Sequence, residues 1–515
     1  MKNKAITTTQ TAAIMAILTV GSKILGFVRE MVLANYFGAG LVTDAYVMGQ
    51  SIPNTLMAAI ITAAGTSYMP ILAGRFELGG EREANKFTSQ LLNALFTITA
   101  AFFVLALVFS RPLVSVFAPG YSGEKAVLTI YYMRIAFISL FFHAGITIFE
   151  AYLQYRGVFN KQTVVGYLQN ISIIVFIIVA AVTDFHLLIF GVVIGFGLRF
   201  IFDYLLVKKN GFCYSPDFHM SSTISEVIQL ALPVFIGGYV SEINTFVDKM
   251  LASDLPEGSV SALNYGSTII NVILAFVVTI LITLIYPRLN KAFAVGDMQS
   301  ISKLSERGIV LLSLVAVPCA LGAMLYSRDI IYIIYMRGAF TEAAAAMASV
   351  ALLFYAIRIP FYAINQLIIK VFYSLHDMKT PVLCSVVSLA VNVGLNLILV
   401  KRIGLAGLAI ATSFAEMVNV TLQYFAFRRK HVDIVLLKSK RKLLLIVVFS
   451  VVAVGVSYLV YLVLGLAGFV AGGSWISMLV RFGLSALVAV LAYLALLYAG
   501  KFEELSLIKD LVKRG

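Results

Sequence analysis

The sequence predicts an all-α polytopic membrane protein with fourteen transmembrane helices. The 515-residue chain is 61% hydrophobic and 12% charged, with a mean hydropathy of +0.96, which is too apolar for a soluble domain of this length. Apolar runs of about 20 residues recur from end to end, and each is long enough to cross a bilayer. Because the runs are continuous rather than alternating, they predict helices and not a barrel.

Polar breaks divide the apolar runs into fourteen spans. The first has no small-residue cleavage site, so we interpret it as a retained helix rather than a signal peptide. After the second, residues 75–90 mix charges at near-helical spacing and predict a cytoplasmic amphipathic connector, with a plain solvated loop as the alternative. The predicted spans are 10–34, 43–72, 88–110, 126–155, 162–183, 186–207, 226–252, 260–286, 307–326, 343–373, 381–400, 404–427, 443–464 and 475–499.

The distribution of basic residues predicts the orientation. With the N-terminus inside, the cytoplasmic ends and loops hold 25 Lys and Arg residues, whereas the outer loops hold six. This asymmetry follows the positive-inside rule and predicts that both termini lie in the cytoplasm. The net charge of +14 then faces the anionic inner leaflet, and no nucleic-acid partner is needed to explain it.

The chain repeats itself at an offset of 217–218 residues. "REMVLANYFGAGLVT" (29–43) aligns with "VDKMLASDLPEGSVS" (247–261), and "SRPLVSVFAPG" (110–120) aligns with "SRDIIYIIYMRG" (327–338). The repeat unit holds six helices, an even number, so its two copies are predicted to be parallel. We therefore predict an N-terminal lobe (1–220, spans 1–6), a C-terminal lobe (221–430, spans 7–12), and a last helix pair with a cytoplasmic tail (431–515).

The first span of each predicted lobe carries charge, although a charge at the bilayer centre costs at least ~2.5–3.5 kcal/mol on insertion scales. A watery cavity between the lobes would explain this, and a cationic cavity suits an anionic, phosphate-bearing substrate. The alternative is ion pairing that locks one lobe, for example Arg29 with Asp44. The charged residues are Lys23, Arg29 and Glu30 in one span, and Glu242, Asp248 and Lys249 in the other.

A set of oxygen-bearing side chains suits a monovalent cation such as Na⁺. Asn392 and Asn396 are four residues apart and share one face of span 11, Thr412 follows in span 12, and Asp248 lies in span 7. The alternative is that the amides and the hydroxyl hydrogen-bond between helices.

Other chemistries find little support in the sequence. Three cysteines and five histidines are scattered without ligand spacing, so neither a disulfide framework nor a zinc site is predicted. The sequence has neither a phosphate-binding glycine loop followed by Lys-Ser/Thr nor a nucleophile elbow, so we do not expect an enzyme or an ATPase.

Four stretches carry a resemblance to a known family: "GSKILGFVREMVLANYFGAGLVTDAYVMGQSIPN" (21–54), "DKMLASDLPEGSVSALNYG" (248–266), "MRGAFTEAA" (336–344) and "VFYSLHDMKTPV" (371–382). In this order they resemble stretches of the MurJ family, the lipid II flippases of peptidoglycan synthesis. This family belongs to the multidrug/oligosaccharidyl-lipid/polysaccharide exporter superfamily, and the resemblance covers nearly the whole chain. It implies alternating access around a cationic cavity for the diphosphate-sugar headgroup. It also implies a polyprenyl-tail groove on predicted spans 13 and 14 (443–464 and 475–499) and, in some members, sodium in the C-terminal lobe.

The resemblance also implies roles for individual residues. Arg29 and Asp44 match functional family positions, and Lys23 stands where an arginine is usual. Two expected cavity arginines are missing, because Met57 or Ala58 and Thr268 occupy those positions. The residues that we expect to contact the substrate are Lys23, Arg29, Asp44, Lys249 and Arg358.

We therefore expect a lipid II flippase of the bacterial plasma membrane. In it Arg29 and Lys23 bind the diphosphate, Lys249 or Arg358 helps, and Asp44 orders or gates the N-terminal lobe. Cell-wall synthases are candidate partners. One alternative is a flippase for another undecaprenyl-diphosphate saccharide, which the missing arginines favour. Others are a cation-coupled multidrug antiporter and a non-transporting scaffold for cell-wall synthases.

Overall fold

The computed structural model describes residues 21–158, 160–217, 221–438, 440–467 and 475–502, and every regular element in these ranges is a helix. Residues 1–20, which include the predicted start of the first span, and residues 503–515 of the predicted tail lie outside the described residues. The chain divides into two compact units, Met1–Ser261 with Arg337–Phe340 and Ala262–Met336 with Thr341–Gly515. The predicted lobe limits at residues 220 and 430 come from the sequence repeat and stay a prediction.

The helices of the first unit begin with α1, residues 21–37. They continue with α2 (Leu41–Val108), α3 (Ser110–Phe117), α4 (Gly123–Tyr155), α5 (Asn160–Val182), a short 3-10 helix (Phe185–Ile189), α6 (Phe190–Lys209) and α7 (Ser221–Ala252). Helix α8 (Ser259–Ala294) starts in this unit and continues in the second.

The second unit contains the remaining helices. They are α9 (Met298–Leu325), α10 (Ser327–Tyr335), α11 (Glu342–Ala356), α12 (Arg358–Ser374), α13 (Lys379–Ile403), α14 (Leu405–Lys430), α15 (Lys440–Leu466) and α16 (Trp475–Ala499).

Ten described helices are long and apolar enough to cross a membrane, or eleven if α11 and α12, bent by 44°, form one broken span. The 68-residue helix α2 is too long for one crossing, and its backbone leaves helical geometry at Gly79 and Gly80. This break falls inside the predicted connector, so residues 75–90 are neither a separate helix nor a loop. They form the end of one helical arm and the start of the next.

Aromatic and aliphatic side chains form the core of each unit. In the first unit, Tyr46 of α2 and Tyr132 of α4 meet edge to face with ring centroids 6.0 Å apart. In the same unit the partly exposed guanidinium of Arg199 binds Glu150 and donates to Gln169 Oε1 at 2.8 Å. In the second unit, residues of α9, α15 and α16 share one cluster.

Candidate functional site

Helix α1 carries two cations that remain accessible. The Arg29 Nη2 atom lies 2.7 Å from Glu30 Oε1, and Nη1 donates to Asn170 Oδ1 of α5 at 3.4 Å. The Arg29 side chain is 30% exposed, and Lys23 is exposed without a hydrogen bond to any described residue. The alternative pairing of Arg29 with Asp44 is wrong, because the carboxylate that binds Arg29 is Glu30.

Helix α7 carries the third of the predicted substrate-binding cations that lie in the first unit. Lys249 is partly buried, and its Nζ donates to Ser51 Oγ of α2 at 2.9 Å. Its neighbour Asp248 is 4% exposed. Lys249 lies in the charged first span of the second predicted lobe, and its bond to Ser51 joins α7 to α2.

Asp44 lies at the centre of a different arrangement, in the first turn of α2 and 1% exposed. Its carboxylate accepts hydrogen bonds from Lys125 Nζ at 2.6 Å, from Gly258 N at 2.8 Å, and from the backbone N (2.8 Å) and hydroxyl of Ser261. Because Gly258 and Ser261 flank the start of α8, Asp44 caps that helix and complements its dipole.

A second carboxylate, that of Glu257 before α8, caps the start of α2 in return. Glu257 Oε1 accepts from the backbone N of Leu41, the first residue of α2, at 2.8 Å. Helices α2 and α8 therefore each receive a cap from a carboxylate beside the start of the other. We call Asp44, Lys125, Glu257, Gly258 and Ser261 the Asp44 clasp.

Two glycine contacts follow the sequence repeat. Gly120 N donates to Ser253 Oγ at 3.3 Å after α7, and Ala339 N donates to Asn35 O at 2.8 Å in α1. A Cβ on Gly120 would lie 2.2 Å from Ser253 O, and one on Gly338 would lie 2.2 Å from Asn35 O. The offset of 218 residues relates Gly120 to Gly338 and Asn35 to Ser253, so each copy of the loop packs on the end of the other copy's first helix.

In the second unit, Arg358 lies at the start of α12. Its Nη2 donates to Asn271 Oδ1 at 3.2 Å, and its guanidinium lies 5.2 Å from the Tyr355 ring centroid. Arg358 therefore has polar and aromatic neighbours from its own unit.

Three of the four predicted sodium ligands come together in the second unit. Asn396 Nδ2 donates to Asn392 Oδ1 at 2.9 Å, and Asn392 Nδ2 donates to Thr412 Oγ1 at 3.2 Å. All three are at least 95% buried. The fourth, Asp248, belongs to the first unit. The bond between Asn392 and Thr412 joins α13 to α14, as the alternative interpretation predicts, whereas the bond between Asn396 and Asn392 lies within α13.

An apolar cavity of about 480 Å³ lies within the second unit, mainly among α9, α15 and α16. Its lining includes Leu314, Pro318, Val454, Ala486 and Ala489. Beyond it, Arg481 Nε donates to Tyr461 O at 2.8 Å, and the Tyr461 hydroxyl donates to Asp329 at 2.7 Å. Arg481 is only 8% exposed, so it does not snorkel to water as an arginine near the end of a span usually would.

The two positions without the expected arginine hold uncharged side chains that pack or bond within the protein. Met57 is fully buried in α2, and Thr268 Oγ1 bonds back to Asn264 O of its own helix at 2.8 Å. Neither position offers a cation.

Sequence reasoning missed several members of the Asp44 clasp. The sequence assigned no role to Lys125, Glu257 or Ser261. Asp44 and Ser261 are 217 residues apart, and no sequence pattern predicts a contact between them.

The long apolar helices, the repeated loops and the charged first helices define the class, a polytopic helical membrane protein. A multidrug-resistance transporter of the MATE family, solved in an inward-facing conformation, matches with a TM-score of 0.68 and 14% identity, covering 81% of this chain and 98% of that one. A lipid II flippase MurJ in an inward closed conformation matches with a TM-score of 0.81 and 24% identity, covering 97% and 100%. The chain therefore has the fold of these transporters.

The family is shown by the sequence. The family model described as lipid II flippase MurJ matches residues 33–498, so this chain belongs to the MurJ family. A probable lipid II flippase MurJ of Bdellovibrio bacteriovorus is 26% identical over 517 residues, covering 97% of this chain and 96% of the relative. One from Rickettsia prowazekii is 25% identical over 424 residues, covering 81% and 83%.

Proposed function

We propose that this chain is a flippase that moves lipid II from the inner to the outer leaflet of the bacterial plasma membrane by alternating access. The observation that carries the proposal is the family match over residues 33–498. The accessible guanidinium of Arg29 on α1 supports it. Both termini would face the cytoplasm, as the basic excess predicts, and cell-wall synthases would use the lipid on the outer side.

The cations of the first unit fit the diphosphate of this lipid. Arg29 uses some of its N–H donors on Glu30 and makes only a long hydrogen bond to Asn170. The remaining N–H donors are available to a phosphate. Lys23 adds a second charge, and Lys249 can exchange its bond to Ser51 for one to an oxyanion. Arg358, in the second unit, stays a candidate helper.

Reconstituted vesicles test the transport function directly. Labelled lipid II is supplied in the membrane, and the fraction that becomes accessible to an external reagent is followed over time. We expect the wild-type chain to flip lipid II, Arg29→Ala to be at least tenfold slower, and the exposed Lys209→Ala on α6 to be unaffected. Wild-type vesicles without transport would contradict the function, whereas full transport by Arg29→Ala would contradict only the role of Arg29.

The apolar cavity among α9, α15 and α16 is our candidate for the polyprenyl-tail groove. Its lining consists almost wholly of aliphatic and aromatic side chains, which suits an isoprenoid. Ala489→Trp would fill it, whereas Leu487→Trp changes an exposed position of the same helix outside the lining. We expect the first to weaken binding of the long-chain lipid but not of a short-chain analogue, and the second to change neither. If Ala489→Trp binds the long-chain lipid as tightly as Leu487→Trp does, the groove assignment is wrong.

A coupling or structural Na⁺ held by Asp248, Asn392, Asn396 and Thr412 also remains a proposal. The buried amide and hydroxyl oxygens of α13 and α14 are suitable ligands. Replacing Na⁺ by K⁺ should slow transport in the wild type but not in Asp248→Asn, which should already be slow. Transport that is insensitive to both changes would remove the site.

A different cargo is the second candidate. Because Met57 and Thr268 stand where cations are expected, the chain has fewer groups for a charged headgroup. Another undecaprenyl-diphosphate saccharide would fit the same mechanism.

A further inference from the structure

A basic cleft of about 440 Å³ lies where α8 ends and α9 begins. Four cations line it: Arg288, Lys291, Lys303 and Arg307. All four belong to the second unit, and none is among the residues assigned above to the diphosphate, the tail or the sodium ion.

Helical spacing gathers these cations. Arg288 and Lys291 are three residues apart on α8, and Lys303 and Arg307 are four apart on α9, so each pair shares one face of its helix. Each of the four is exposed, and none makes a hydrogen bond or ion pair with another residue of the described chain. Their donors are thus available to a ligand.

The acidic residues nearby do not neutralise the cleft. Asp297 caps α9 by accepting from Ser300 N at 2.9 Å and from Ser300 Oγ at 2.6 Å. These hydrogen bonds lower the pKa of Asp297, which stays ionised. Glu306 is the other acid on this part of α9 and has an interaction of its own. Four cations against two acids leave an excess of positive charge.

The turn beside the cleft is apolar. Val295, which lines the cleft, is 79% exposed, and Met298 at the start of α9 is 39% exposed. Exposed apolar side chains next to free cations are typical of a segment at the boundary between headgroups and acyl chains. A soluble anion would use the cations but would not explain the apolar turn.

We propose that this cleft binds the phosphate headgroup of an anionic phospholipid. The two lysines supply ammonium donors, the two arginines supply forked guanidinium donors, and Val295 contacts the acyl chains. The site would fix the turn between α8 and α9 to the membrane surface.

Native mass spectrometry of the full chain in detergent tests the proposal with dioleoylphosphatidylglycerol as the probe and dioleoylphosphatidylcholine as the zwitterionic comparison. The test variant is Lys291→Ala with Lys303→Ala. The matched control is Arg428→Ala with Arg429→Ala, which removes the same charge from an exposed helix end outside the cleft. Unchanged thermal unfolding verifies that both variants fold.

We expect the test variant to bind phosphatidylglycerol at least tenfold more weakly than the wild type, the control to match the wild type, and phosphatidylcholine not to distinguish them. Lys291→Arg with Lys303→Arg should keep the affinity. Equal binding by wild type and test variant, or an equal loss in the control, would overturn the site. If sodium triphosphate at the same concentration displaces the lipid, the site belongs to a soluble anion and the lipid proposal fails.

Discussion

Two charged regions of the first unit differ in how far their charges are buried and paired. In the Asp44 clasp, a carboxylate with 1% exposure accepts from Lys125, Gly258 and Ser261. On α1, Arg29 is 30% exposed with one ion pair and a long amide contact, and Lys23 is exposed. A buried charge that is fully bonded holds the fold together, whereas an accessible charge with spare donors can bind a ligand.

Desolvation explains the difference. Removing a carboxylate from water costs several kcal/mol, and only close donors on every side offset it. Such a group has no capacity left for a substrate. Arg29 retains part of its hydration and can exchange it for phosphate oxygens.

The largest effect should follow Asp44→Ala. The change leaves the Lys125 ammonium and the start of α8 without their acceptor, so we expect a loss of about 3–5 kcal/mol in the free energy of unfolding. Thermal unfolding in detergent would measure it, with exposed Asp433→Asn as the control. A loss below about 1 kcal/mol would mean that the clasp does not stabilise the chain.

A smaller effect should follow Gly338→Ala. Gly338 has φ +57°, and its new Cβ would lie 2.2 Å from Asn35 O, so we expect about 1–3 kcal/mol of destabilisation. Gly394→Ala is the control, because its Cβ would meet nothing within 4 Å inside α13 and should be neutral or slightly stabilising. Equal unfolding temperatures for the two variants would contradict the glycine contact.

The sequence allowed much of this comparison to be predicted. Hydropathy predicts a helical membrane protein, and the offset of 218 residues aligns the loops that hold Gly120 and Gly338. The charges of α1 and α7 were visible as costly residues in apolar spans. The family that the sequence stretches resemble was confirmed by the family-model match over residues 33–498.

The partners of those charges could not be predicted. Asp44 binds a lysine 81 residues away and backbone groups more than 210 residues away, and no local pattern encodes such proximity. Arg29 instead binds the adjacent Glu30, which a search for distant partners overlooks. The break of α2 at Gly79 and Gly80 was hidden by charges at helical spacing.

The smallest predicted effect concerns Asp377, which lies between α12 and α13 and binds Thr380 and Lys430. Burial opposes ionisation of Asp377, yet hydrogen bonds from Thr380 and Lys430 outweigh it and lower the pKa of Asp377 from 3.8 to about 2. Its stabilising effect is therefore complete above pH 3.8 and is lost as the pH falls through about 2. We expect Asp377→Asn to lower the unfolding temperature by about 1–3 °C at pH 7.

The pH dependence of that difference is the check. The difference in unfolding temperature between wild type and Asp377→Asn should stay constant from pH 7 to pH 5 and decrease below about pH 4. A gap that widens in acid would show that the carboxyl is stabilised in its protonated form.

The central claim is that the accessible cations of α1 bind the diphosphate of lipid II. The most direct measurement is native mass spectrometry with lipid II and a second undecaprenyl-diphosphate saccharide in competition, using wild type, Arg29→Ala and the exposed-cation control Arg111→Ala. We predict that wild type and Arg111→Ala prefer lipid II, and that Arg29→Ala loses at least tenfold in affinity while its unfolding temperature is unchanged. Wild-type binding by a folded Arg29→Ala would contradict the claim.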